Sequence, residues 1–177
     1  MVRRAGRGIG MLVALVVITG ARAAPVARAQ SSEGSLCKLL PVQHVEKVMG
    51  GKASKPVGMD ITAGIGNCSV DVPDPKHMVI VSTAPLTGQA GSSIEERTKL
   101  GLKLMASTKT RKPKATYQFM GDVVCSIEEM DPPMKQTVCM TDRGQRQFNF
   151  LVRSDNPSHL KTETVKQLLL ETVAKVK

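Results

Sequence analysis

Aromatic side chains are nearly absent from this chain, which has no tryptophan, one tyrosine (Tyr117) and three phenylalanines in 177 residues. Sugar-binding platforms and base-stacking surfaces are built on exposed aromatic faces, so this scarcity argues against carbohydrate and nucleic-acid partners. It also requires a core made of Val, Leu, Ile and Met. Catalytic signatures are missing as well. There is no Gly-x-Ser-x-Gly elbow, no His-Glu-x-x-His pair and no phosphate loop, and the three histidines, His44, His77 and His159, are dispersed. The expectation is a non-enzyme without a cofactor, and a hydrolase without a recognisable motif is the most distant alternative, since triads are defined in space.

Long apolar runs are lacking too. The run from Met11 to Ile18 falls short of the ~20 residues that span a bilayer. It follows Arg3, Arg4 and Arg7 and precedes two Ala-x-Ala sites, Ala21-Arg22-Ala23 and Ala27-Arg28-Ala29, which is the layout of a secretory signal peptide. The expected organisation is a signal peptide over 1–29, a flexible lead-in over 30–36 and one domain over 37–177, exported to the periplasm or released, with no membrane span after cleavage. Five of the 25 Lys+Arg lie before residue 30, leaving 20 against 15 Asp+Glu and a net charge of +5 instead of +10. A mild positive excess suits a protein working beside anionic envelope surfaces.

Four cysteines in an exported chain form two disulfides. Cys125 and Cys139 are equidistant from Pro132, and a hairpin turning there sets Cys125 opposite Cys139, Glu129 opposite Lys135 and Val124 opposite Met140. Cys37–Cys68 follows by elimination. A turn at Asp142-Arg143-Gly144-Gln145 then returns the chain into Gln147 to Val152, which completes a three-stranded meander over Thr116 to Arg153.

Elsewhere, Pro41 to Met49 places Val42, Val45, Val48 and Met49 on one helical face before Gly50-Gly51. Lys52 to Gly66 is rich in Gly, Pro, Lys and Ser and reads as a long exposed loop. Asn67 to Val72 and His77 to Thr83 read as a hairpin around Pro73-Asp74-Pro75. Ser92-Ser93 with Glu95-Glu96 offers capping boxes for a helix over Ile94 to Ala106, docked through Ile94, Leu102 and Met105. Val165, Leu168, Leu169, Thr172, Val173 and Val176 form the stripe of a terminal helix. The fold class is α+β: an antiparallel sheet, comprising a hairpin and the meander, with about three helices packed mainly on one face.

The run Cys37-Lys38-Leu39-Leu40-Pro41, a short helix ending at Gly50, Cys68 before a strand and the Cys125/Cys139 pair together resemble a group of small bacterial envelope lipoproteins of unknown function. Their mature domains open with Cys-x-Leu-Leu and carry two cysteine pairs. The resemblance implies an exported, disulfide-containing α+β domain without established catalytic residues. Cys37 stands far beyond the apolar core of the signal, so it is not placed as a lipid-bearing cysteine.

Two sets of residues are candidates for binding. Lys99, Lys103, Lys109, Arg111, Lys112 and Lys114 concentrate positive charge in a short stretch, suited to an anionic membrane surface or an envelope protein partner. Met130, Met134 and Met140, or His77 with Met78, offer soft ligands for Cu(I), weighed against their use as core filler. Native mass spectrometry of the protein from its host's extracytoplasmic fraction is expected to show a chain starting near Gln30. Its four cysteines should resist alkylation until reduced, and thiols that react without reduction would overturn the disulfide framework.

Overall fold

The computed structural model describes residues 35–61, 65–73, 77–86, 91–107 and 114–176. The signal peptide expected over 1–29, most of the lead-in, and Lys109, Arg111 and Lys112 lie outside the described residues.

Seven strands form one antiparallel sheet: β1 (Val57–Ile61), β2 (Ile65–Asp71), β3 (Met78–Pro85), β4 (Ala115–Met120), β5 (Val123–Glu129), β6 (Lys135–Arg143) and β7 (Arg146–Ser154). Their order is β1-β2-β3-β7-β6-β5-β4. The expected hairpin and meander are thus the two wings of a single, larger sheet, joined where β3 pairs with β7 from Met78↔Arg153 to Pro85↔Arg146.

The hairpin register follows the cysteine symmetry, with Cys125 opposite Cys139, Glu129 opposite Lys135 and Val124 opposite Met140. Cys125–Cys139 and Cys37–Cys68 are both bonded. Two readings need correction. The stretch before Gly66 is not all loop, because Val57–Ile61 pairs with Ile65–Ser69 as an edge strand. The meander has four strands and not three, because Gly121, with φ 69°, turns the chain between Met120 and Val123. That is a two-residue hairpin loop of the kind that favours glycine.

Alternation along the strands gives the sheet two unlike faces. On one, Cys68, Val81, Phe150, Cys139 and Cys125 form a continuous row across five strands. Every member of that row is fully buried. This face is covered by α3 (Thr162–Ala174), whose Val165, Leu168, Leu169, Thr172 and Val173 are buried, and by α1 (Val42–Met49) with Val45 and Met49. A 3-10 turn at Ser35–Leu39 closes the β1 side, tied down by Cys37–Cys68. The scarcity of aromatics is met as expected: only Phe148 and Phe150 stand among the buried Val, Leu and Cys side chains.

The third helix, α2 (Ile94–Ser107), lies on the opposite face. It reaches the sheet through Arg97, which pairs with Asp142 on β6, and Asp142 alternates with Thr141 and Thr137, whose side chains belong to the α3 face. Two of the three described α-helices therefore share a face. Replacing Leu168 by Ala removes a fully buried side chain and should cost about 2–5 kcal/mol in chemical denaturation. Leu170→Ala, on the 42% exposed side of the same helix, should cost less than about 0.5 kcal/mol. Equal losses at both positions would mean that α3 does not pack as described.

Candidate functional site

The start of α2 is strongly fixed. Ser93 accepts the Glu96 amide on its hydroxyl at 3.2 Å, and the Glu96 carboxylate accepts the Ser93 amide at 2.9 Å, a reciprocal capping box. Ile94 is buried, and the Arg97 guanidinium, with its side chain only 8% exposed, donates to the Ser92 carbonyl at 2.6 Å and to Asp142 at 2.5 Å. A nearly buried cation held by a carboxylate and a carbonyl anchors this end to β6.

Beyond that anchor the helix turns its apolar side chains outward. Leu100 is 57% and Leu104 59% exposed and Met105 is also largely exposed, while Ile94 is buried and Leu102 half-buried. Leu100 and Leu104 are four residues apart and share one helical face. Lys99 and Lys103 stand beside them. Lys99 is paired with Glu95 and lies 5.2 Å from the centre of the Phe119 ring on β4, a cation–π contact that sets α2 above that edge strand. Lys114, at the other end of β4, is 3.6 Å from Glu129 and almost fully in solvent. Lys99 and Lys103 thus fall on the α2 side of the molecule, whereas Lys114 pairs with Glu129, which shares the α3 face with Cys125 and Ile127. The sequence carried the missing part of this surface in Lys99-Leu100-Gly101-Leu102-Lys103-Leu104, where apolar residues occupy more of the helix than one buried stripe needs.

The methionine candidates are not brought together. Met130 and Met134 bracket the β5–β6 turn, where the Met130 amide donates to the Met134 carbonyl at 3.2 Å. Met140 lies six residues further along β6, which is roughly 20 Å of strand. There its sulfur accepts from the Gln147 amide at 3.7 Å. Met78 begins β3 beside His77, whose ring bonds Asp155 at 2.8 Å. Among the described residues, no cluster of three or more His, Cys, Asp and Glu side chains has metal-binding geometry.

Each histidine has a polar partner. His44 lies 2.9 Å from Glu171, joining α1 to α3. His159 sits 6.2 Å, edge to face, from the His77 ring, with Nδ1 2.9 Å from Ser154 Oγ and Nε2 3.2 Å from Asn156 Nδ2. A neutral imidazole that donates from Nδ1 and accepts at Nε2 satisfies both contacts. Ser154 is fully buried and its hydroxyl also accepts the Asn156 amide, so this Ser-His pair braces the end of β7.

No family model matches the chain, and no curated protein matches it in sequence. Its fold is similar to that in the crystal structure of the extracellular domain of PknH from Mycobacterium tuberculosis, with a TM-score of 0.52 and 15% identity over 82% of this chain and 96% of that one. At that identity the likeness is one of fold. No described helix is long and apolar enough to cross a membrane.

His159 supplies a pH test. Burial, and secondarily the charge of His77, hold its pKa below the usual histidine value, with Asp155 pulling the other way. The unfolded chain, with a histidine pKa of about 6.5, then binds the proton more tightly than the folded one. The contribution is complete above that pH and is lost as pH falls below it. The thermal midpoint of the wild type should therefore fall more steeply between about pH 7.5 and about pH 5 than that of His159→Gln. A steeper fall in the variant would contradict the placement of this ring.

Proposed function

We propose that this chain is an exported, non-enzymatic binding or accessory module of the cell envelope, and that its α2 side docks on an anionic membrane surface. Two disulfides and the fold of an extracellular domain support work outside the cytosol, where such bonds persist. The observation that carries the docking surface is the outward pair Leu100 and Leu104 on a helix whose other end is clamped by Arg97 and Asp142. Apolar side chains flanked by lysines suit the interface of a bilayer, with the leucines at the acyl boundary and the ammonium groups among anionic headgroups. In sequence, residues 97–121 contain seven Lys and Arg and no Asp or Glu, so the stretch that includes Lys109, Arg111, Lys112 and Lys114 adds charge of the same sign. A membrane surface explains both the leucines and the lysines, whereas an acidic protein partner requires only the second.

Sedimentation with vesicles of phosphatidylcholine, with and without about 30% phosphatidylglycerol, tests this at low and high salt. Binding should require the anionic lipid and weaken with salt. Basic residues near a charged membrane contribute about 1 kcal/mol each, so replacing Lys109, Arg111, Lys112 and Lys114 by Gln should lower partitioning at least about a hundredfold. Leu100→Ser with Leu104→Ser should lower it about tenfold or more at unchanged charge. Equal binding to neutral and anionic vesicles, or none to either, would overturn the reading.

A further inference from the structure

A groove lies on the other face of the sheet, where α3 begins. Ile127 of β5, Pro157 and Leu160 of the 3-10 turn Pro157–Leu160, and Thr162 at the start of α3 enclose a largely apolar groove of about 530 Å³. That volume is within the range of small-molecule sites, roughly 300–1,000 Å³. Its rim carries Lys135, which precedes the buried stretch of β6, and Lys161, the residue before α3. Both lysines are exposed.

The charges around this rim are not balanced. Glu129, directly opposite Lys135 in the strand register, is engaged by Lys114 at 3.6 Å. Glu163, the one acid of the rim, has Lys166 at 3.9 Å. Neither Lys135 nor Lys161 forms an ion pair among the described residues. The floor is stable independently of any occupant, because the Leu160 carbonyl accepts the buried Thr137 hydroxyl at 2.8 Å and Thr162 donates to Gln118 at 2.8 Å. These bonds hold the 3-10 turn and the start of α3 to β6 and β4, so the groove is preformed and need not be assembled by its ligand.

We infer that this groove binds a single-chain amphiphile with an anionic head, the chain lying along Ile127, Pro157 and Leu160 and the head between Lys135 and Lys161. The charge complementarity selects the head: a carboxylate or a phosphate monoester gains two ammonium partners, an uncharged hydroxyl gains neither charge, and an amine is repelled. The apolar floor selects the tail. This site lies on the opposite side of the sheet from Leu100 and Leu104 of α2, and it needs no membrane.

Titration of the mature protein with decanoate, decyl phosphate, decanol and decylamine, each below its micelle concentration and without vesicles, tests the inference by amide chemical-shift mapping. Decanoate and decyl phosphate should shift the amides of Ile127, Leu160 and Thr162 and bind at least tenfold more tightly than decanol, and decylamine should not bind. Preference for one of the two anions tells a carboxylate source from a phosphate source and supports the site either way. Lys135→Gln with Lys161→Gln should remove most of the advantage of the anions over decanol at an unchanged thermal midpoint. Ile127→Asp, which keeps both lysines, should weaken every chain. The inference is overturned if decanol matches decanoate, if no anionic chain binds, or if the shifts map to the groove between Leu39 and Val176 on the far side of α3.

Discussion

The pairing of β3 with β7 is the constraint on which the rest of this structure depends. Its eight residue pairs, Met78↔Arg153 to Pro85↔Arg146, join segments 61 to 75 positions apart in the chain. Closing so long a loop costs entropy before any contact repays it, so the joint has to be strongly apolar. It is: Val79 faces Val152 and Val81 faces Phe150, and all four are fully buried. The disulfides do not share this task. Cys37–Cys68 lies in the wing formed by β1 to β3, and Cys125–Cys139 in the wing formed by β4 to β7. Each cross-link stiffens its own wing, while the union of the wings rests on side-chain packing beneath α3. Both disulfides nevertheless occupy the row that crosses the joint, with Cys68 beside Val81 and Cys139 beside Phe150, so the covalent and the packed parts of the core are continuous.

The features readable from the sequence are those set by neighbours in the chain. The register of the Cys125 hairpin could be counted from Pro132 because a period of two fixes which residues oppose one another once the turn is centred. The α3 stripe and the Ser93 capping box are likewise local. The features that were misread depend on distant partners. Val57-Gly58-Met59-Asp60-Ile61 has the composition of a loop and becomes β1 only because β2 offers it a ladder. Gly121 divides two strands through a backbone conformation that composition does not reveal. The β3–β7 joint has no local signal at all, since either strand would alternate in the same way beside any neighbour. Of the candidate site, the lysines were legible as a charge run. The outward leucines were not, because helical spacing shows that a face exists and does not show whether a sheet receives it.

The two faces of the sheet have different chemistry, and this bears on function. Under α3 the strands present Val, Phe and Cys, and burial is nearly complete. On the opposite face of the sheet the side chains bond one another: Asn149 donates to Ser82 at 3.3 Å, Gln147 to Asn149 at 2.9 Å and Gln136 to Glu128 at 2.6 Å. A surface whose amides and hydroxyls already satisfy one another gives a covering helix little apolar area to bury, which accounts for how α2 is attached. It is held at its start by a capping box, by Ile94 and by the Arg97–Asp142 pair, and further along by the contact of Lys99 with Phe119.

That mode of attachment makes an outward apolar stripe tolerable. A helix docked by its hydrophobic face would have to release that face to engage a membrane, and the core would lose what the membrane gained. Here the main anchor, Ile94 with the Arg97–Asp142 pair, sits at one end, so Leu100 and Leu104 can enter an interface without disturbing it. The division of faces also separates the two proposed binding surfaces by the thickness of the sheet. Docking through α2, as proposed, would leave the side bearing α3, Lys135 and Lys161 turned to solvent and open to a soluble amphiphile. Between the two proposed surfaces lie β5 and β6, cross-linked by Cys125–Cys139 and packed as a rigid core.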